Sequence, residues 1–256
     1  MRQIGLAVAV AALFVGGCQK AEPARQFSRA ALDEALADAA RKQDRDTADA
    51  RRKPGPLIEF AGVKSSDKVL DLIPGSGYWT RIFSKTVGPQ GKIYAVWPQA
   101  YARMAMGDVQ KLRQLSADKY YGNVVVEVQP TTRLTAPEPL DVVWTSQNFH
   151  DYPDEFMGKG DPSALARDAF KLLKPGGTFM VIDHRAKAGR GLADTDTLHR
   201  IDPAKVREIA EAAGFRFAGE SNALENPADP LDVPVFHKSI REHTSQFAYK
   251  FVKPAS

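Results

Sequence analysis

Val69-Leu70-Asp71-Leu72-Ile73-Pro74-Gly75-Ser76-Gly77-Tyr78-Trp79-Thr80 decides the fold class of this 256-residue chain. An apolar run ends in an acid, a Gly/Pro/Ser turn follows, and Trp79 to Val87 then carries a helical pattern. That order predicts a parallel strand buried on both faces, a tight loop and the amino end of a helix. Gly75 and Gly77 let the backbone come close to a ligand, and the helix start presents unpaired N–H groups. Asp71 falls at the carboxyl end of the strand, where ligands bind in open α/β sheets. A strand–helix turn without any ligand satisfies the same pattern, so the elements around it carry the decision.

Downstream, Gly88-Pro89-Gln90-Gly91 turns the chain into a second strand, Lys92 to Trp97. Ala100 to Lys119 reads as one helix, Asn123 to Val128 as the third strand and Leu140 to Thr145 as the fourth. Asp161-Pro162 opens a helix that Lys174-Pro175-Gly176-Gly177 stops, with the glycines as a left-handed helix end. Thr178 to Asp183 is the fifth strand, and Asp202-Pro203 opens a further helix closed by Gly214. Two late strands, Phe215 to Glu220 and Gln246 to Val252, have no helix of their own. Five strands alternating with helices predict an α/β, Rossmann-like, doubly wound parallel sheet.

Upstream, Ser28 is placed as a helix cap with Phe27 and Leu32 as a hydrophobic staple across it. The helix is expected to run to about Ala50, where Pro54-Gly55-Pro56 ends it, and Leu57 to Val63 forms a short second helix. Residues 1–18 read as an export signal: Arg2 supplies the positive start, and Ile4 to Val15 is too short to span a membrane comfortably. Val15-Gly16-Gly17-Cys18 resembles a bacterial lipoprotein box, with Cys18 as the lipidation site and first residue of the mature protein. A plain signal peptide or a membrane-anchored start fits the same residues. Cys18 is the only cysteine, which excludes an intramolecular disulfide and a cysteine metal site. Gln19 after it points, by the usual sorting pattern, to a periplasmic protein on the outer membrane, tethered by Gln19 to Phe27. The chain thus divides into signal (1–18), tether and leading helix (19–56) and one domain (57–256).

Hydrophobic content of 43% and charged content of 26% are those of a globular protein, and the net charge is +4. The one basic cluster, Arg41-Lys42, Arg45 and Arg51-Arg52-Lys53, is interrupted by Asp44, Asp46 and Asp49. It reads as a solvated helix face rather than a nucleic-acid patch, so no nucleic-acid partner is expected.

The Asp71 stretch resembles the first motif of class I S-adenosylmethionine-dependent methyltransferases, an acid followed by Gly-x-Gly-x-Gly, with Ile73 where the first glycine usually stands. Leu173-Lys174-Pro175-Gly176-Gly177 before an apolar strand is similar to the same family. With the lipobox, the chain resembles an exported bacterial predicted-methyltransferase group. The matching pieces are the Arg-Arg-Lys-Pro helix end, Asn148-Phe149-His150-Asp151, Asp183-His184, Leu198-His199-Arg200-Ile201-Asp202 and the tail from Glu220 to Asp229. The resemblance covers about Leu57 to Lys253. It implies seven strands with a reversed C-terminal strand, and S-adenosylmethionine as cofactor on Asp71, Gly75, Ser76, Gly77 and Tyr78. Trp97 stands where the family places its ribose-binding acid. Stacking by Trp97 on adenine or ribose, and a hydroxyl contact from Gln99, are the expected substitutes. The leading helix would lie beside the cofactor cleft as part of a lid, although packing accounts for it equally well.

In that architecture the substrate lies over the fourth and fifth strands. The residues just past them include His150, Asp151 and His184. A histidine near neutral pKa suits proton acceptance from a nucleophile taking a methyl group. His150 is the first-choice base and His184 the second, with Asp151 or Asp183 orienting the ring. Hydrogen bonding at strand ends accounts for the same residues. His199 and Arg200 are placed to close the pocket over an anionic or polar substrate. The leading expectation is methyl transfer to a small molecule. The alternatives are a binding protein without turnover, favoured by Ile73 and Trp97, and, ranked last, a metal-assisted reaction using His150, Asp151, His184 and His199. No short metal-ligand spacing occurs, so no metal is assigned.

Overall fold

The computed structural model describes residues 26–158 and 160–255. The signal segment, Cys18 and nearly all of the tether lie outside the described residues.

Seven strands form one sheet: β1 (Lys68–Leu72), β2 (Lys92–Pro98), β3 (Val124–Gln129), β4 (Leu140–Ser146), β5 (Leu173–His184), β6 (Arg216–Ser221) and β7 (Gln246–Val252). Their spatial order is β3-β2-β1-β4-β5-β7-β6. β1 to β5 pair in parallel, and β7 runs antiparallel between β5 and β6. The apolar runs form strands because each residue of the run has a core to enter. Val69 packs on one face with Ile93, Val142 and Met180, and Leu70 packs on the other with Val143, Phe179 and Val181. The helix Tyr78–Val87 covers the first face, together with Leu32 and Ile58. Helices Pro162–Leu172 and Pro203–Ala212 cover the second through Leu165, Ala169, Val206 and Ile209.

From β1 the chain winds outward through β2 to β3, and then returns to the other side of β1 for β4. The loops leaving β1 and β4 therefore diverge and open a crevice at the strands' carboxyl ends.

Four local expectations are corrected. The leading helix, capped by Ser28 Oγ on the Ala31 N–H at 3.2 Å, stops at Ala37, because Asp38 turns extended and caps Ala40 instead. Short turns, including π-helical Arg45–Asp49, lead to Lys53 in a left-handed conformation (φ 46°). Pro54 then starts the second helix, Pro54–Ala61, since a proline costs nothing in a first turn. The expected helix over 100–119 is two, Gln99–Met104 and Met106–Ala117, so that Tyr101 reaches the crevice while Val109 and Leu112 enter the core. Gly176 and Gly177 do not end a helix. The helix stops at Leu172, and the glycines shape the irregular start of β5, where a Cβ on Gly177 would meet Lys174 O at 2.9 Å. The basic cluster is a solvated face only in part: Lys42, Arg45 and Lys53 are exposed, and Arg51 and Arg52 are half-buried. Arg41 is fully buried, paired with Asp49 at 2.7 Å and bonded to Leu36 O.

Candidate active site

The crevice is a cleft of about 550 Å³. Its floor is the loop after β1. Gly77 ends that loop at φ 89°, where a Cβ would come 2.6 Å from Leu112, and the helix Tyr78–Val87 follows at once. Ile73 adopts φ 53°, a left-handed backbone that costs a β-branched residue about 1–2 kcal/mol. It is held there by its N–H on Val96 O at 2.8 Å and by Asn148 Nδ2 donating to its carbonyl at 3.3 Å. Gln147 (φ 64°) and His199 (φ 52°) also line the cleft in this conformation. Strained non-glycine residues gather at functional sites because surrounding structure must over-determine them.

Ile73, Gly75, Ser76 and Tyr78 line the cleft; Gly77 does not, and its N–H closes the turn on Pro74 O at 3.0 Å. The other residues expected to hold a cofactor lie elsewhere. Asp71 is buried under the loop and accepts the Thr80 hydroxyl at 2.6 Å. Trp97 is fully buried with its ring 5.8 Å from that of Tyr101, and Gln99 is exposed at the start of its helix. The single carboxylate among the described lining residues is Asp151. In their place the wall carries Arg52, Trp79, Tyr101, Phe156 and Phe236, most of which sequence reasoning did not single out as cleft residues. Arg52 stacks over the Tyr78 ring at 4.7 Å. Nothing in Arg51-Arg52-Lys53 marks the middle residue, since its neighbours carry the same charge.

Burial pushes the Asp71 carboxyl up to about 7, against the Thr80 hydrogen bond and the Arg52 charge. A carboxyl raised from an unfolded value of about 4 lowers stability as pH rises between the two values, and the deficit persists above them. Asp71→Asn keeps an acceptor for Thr80 and removes that charge. The variant is expected to be more stable than wild type near pH ~8, by up to about 4 kcal/mol, and to lose the slope between pH ~4 and ~7. Urea denaturation at several pH values checks this; identical slopes in the two proteins would refute it.

The polar side of the cleft is built on Asp183, fully buried at the end of β5. Asp183 Oδ2 accepts the His150 backbone N–H at 2.8 Å, and Oδ1 lies 2.7 Å from His150 Nδ1 and accepts the His184 N–H at 2.8 Å. Asp183 is thus the residue that orients the His150 ring. His150 Nε2 faces Asp151 Oδ1 at 3.1 Å, and His199 Nδ1 is 3.9 Å from the same oxygen. Burial alone would push the His150 imidazole down; the Asp183 charge and the hydrogen bonds with Asp151 and Asp183 outweigh it and raise it to about 10. With both ring nitrogens engaged, His150 has no free lone pair to serve as a base. His184 differs. Its Nδ1 is 2.7 Å from Thr244 Oγ1, and burial plus the positive charges of His150 and Arg200 push it well below its usual value. Arg200 does not close the pocket. It is fully buried, and its guanidinium is committed to Asp229, Val233 O and Arg185 O at 3.0 Å.

A family model described as "Methyltransferase domain" matches residues 63–214. The ubiquinone/menaquinone biosynthesis C-methyltransferase of Pasteurella multocida (strain Pm70) is 31% identical over 178 residues, 68% of this chain and 62% of that protein. The enzyme of the same name from Cronobacter sakazakii is 27% identical over 68% of this chain and 66% of its own. The match therefore spans slightly less than two thirds of those relatives. Among solved structures, a SAM-dependent methyltransferase from Aquifex aeolicus superposes with a TM-score of 0.58 at 19% identity, covering 89% of this chain and 100% of that one. The CcbJ methyltransferase from Streptomyces caelestis gives 0.55 at 15% identity, covering 81% and 90%. At such identities the structures speak for the fold alone.

Proposed function

This chain belongs to the methyltransferase-domain family, and on that premise we propose that it transfers a methyl group from S-adenosylmethionine to a small aromatic acceptor bound in the cleft. The observation that carries the reading is the meeting of the glycine loop with His184 in one cleft at the switch point of the sheet. A volume of about 550 Å³ suits a ligand of nucleoside size with a small partner. The fit is good at the loop, where Gly75 bears no side chain and a Cβ there would meet open space. It departs at the end of β2, where Trp97 is buried and supplies no acceptor for ribose hydroxyls.

When bound, S-adenosylmethionine supplies a methyl carbon on positively charged sulfur. The loop N–H groups of Gly75 and Ser76 and the Arg52 guanidinium would hold its carboxylate. Tyr78, Trp79, Tyr101 and Phe156 would shield the reacting centre from water and offer ring faces to an aromatic acceptor. His184 Nε2 would take the proton that the acceptor loses. Most of the acceleration would come from alignment of the two reactants. An aromatic acceptor also accords with the quinone-pathway names of the relatives.

Calorimetric titration of the protein lacking residues 1–18 with S-adenosylmethionine and S-adenosylhomocysteine tests the reading. Micromolar binding is expected, weakened at least about tenfold in Arg52→Ala, the loss typical of a charged hydrogen-bond donor. No heat with either compound would sink it. The buried Trp97 favours a second reading, a fold retained for binding. Binding that is never followed by methyl transfer to any aromatic hydroxyl compound would select that one.

A further inference from the structure

We propose that His150, Asp151 and His199 form a site for a divalent first-row transition metal such as zinc, open to the cleft. One ligand atom from each residue lies within 4.8 Å of the other two. His150 Nε2 and Asp151 Oδ1 are 3.1 Å apart, and His199 Nδ1 is 3.9 Å from that same oxygen. Nitrogen and oxygen ligands at about 2.0–2.1 Å from an ion stand about 3 Å apart from one another. The first pair is therefore already at ligand spacing, and the His199 ring needs a shift of only about 1 Å.

Two further features separate the cluster from an incidental ion pair. His150 is held as metal-bound histidines are, by a carboxylate on its other nitrogen: Asp183 Oδ1 lies 2.7 Å from Nδ1, and Asp183 Oδ2 fixes the backbone at 2.8 Å. In the neutral ring, with Nδ1–H donating to Asp183, Nε2 would present its lone pair to a carboxylate oxygen 3.1 Å away, so the gap is one that the second imidazolium proton fills and that a metal cation can fill in its place. The second feature is access. All three residues line the cleft, so an ion there keeps positions free for an incoming oxygen, as in open catalytic sites. Two imidazoles and one carboxylate suit zinc, iron(II) or cobalt(II) rather than magnesium or calcium. His184 stays outside the cluster, with its Nδ1 on Thr244.

The site stands on its own geometry. Joined to the methyl-transfer reading, on which this last step rests, it would bind an oxygen of the acceptor and narrow the substrate class to hydroxylated molecules.

The test uses untagged, chelator-stripped protein titrated with Co²⁺ and followed by its visible d–d absorption. One equivalent is expected, displaced by Zn²⁺. Affinity should fall at least about 100-fold in His199→Ala and in Asp151→Asn, beyond the 10–100-fold expected for the orienting residue in Asp183→Asn. It should be unchanged in His243→Ala, an exposed histidine elsewhere. Circular dichroism verifies that each variant is folded, and His199, being partly exposed, is the least disruptive of them. Absence of stoichiometric Co²⁺ binding, or binding that survives His199→Ala, overturns the site and leaves a proton between His150 and Asp151. Since the metal is titrated without cofactor, and S-adenosylmethionine calorimetry is run separately on the same variants, failure of one reading is distinguishable from failure of the other.

Discussion

Asp229→Ala is expected to destabilise the protein by about 3–5 kcal/mol, the loss seen when one partner of a buried ion pair is removed. Asp229 Oδ1 and Oδ2 each take a guanidinium nitrogen of Arg200 at 3.0 Å, and both side chains are fully buried. The carboxylate also accepts the Leu231 and Ser245 N–H groups at 3.0 and 2.6 Å. Removing it strands a guanidinium in the interior together with two backbone donors. The pair also joins the segment that presents His199 to the one that presents Phe236 and Thr244, so local loosening should reach the cleft wall. Urea denaturation measures the loss. The double variant Arg200→Met/Asp229→Leu should recover only the part of the loss that the stranded guanidinium causes, because the Leu231 and Ser245 N–H groups stay unpaired. A loss under about 1 kcal/mol in Asp229→Ala would show the pair to be no better than a surface contact.

His184→Ala is expected to lower kcat by about 10²-fold, the low end for a positioned general base, because an imidazole held well below its usual value stays neutral but accepts a proton weakly. His184 is the cleft imidazole outside the His150–Asp151–His199 cluster, and Thr244 on Nδ1 leaves Nε2 as the nitrogen for the acceptor's proton. S-adenosylhomocysteine binding should be nearly unchanged, since the contacts proposed for it are with the glycine loop and Arg52. The measurement is S-adenosylhomocysteine release with an accepted aromatic hydroxyl compound, alongside calorimetry on the same variant. A kcat within tenfold of wild type would remove His184 as base. Tighter dependence on His150 would instead place the proton acceptor in the cluster.

The sheet was legible because its signals are local. An apolar run such as Ile93 to Val96 reads as a buried strand whatever surrounds it, and Ser28, Asp161 and Asp202 cap helices through bonds spanning two or three residues. The family motif added the reversed strand. Histidines just past β4 and β5 were legible as candidates because strand ends at a switch point face a crevice in any such sheet.

Residue types alone did not decide which of those side chains meet. Arg52 stands between Arg51 and Lys53, and Arg200 between His199 and Ile201. Arg52 lines the cleft over Tyr78, while Arg200 is spent on Asp229, twenty-nine positions away in the chain. Trp97 turned into the core beside Tyr101, and Asp71 turned down onto Thr80, although both lie at strand ends where ligands are expected. Sequence by itself determined the strands, most caps and the place of the crevice, because period and capping act within a few residues. Tertiary structure alone decided the direction of each polar side chain there. Pairing at a buried site depends on which distant carboxylate or hydroxyl arrives to satisfy it, as Asp183 does for His150 across thirty-three residues.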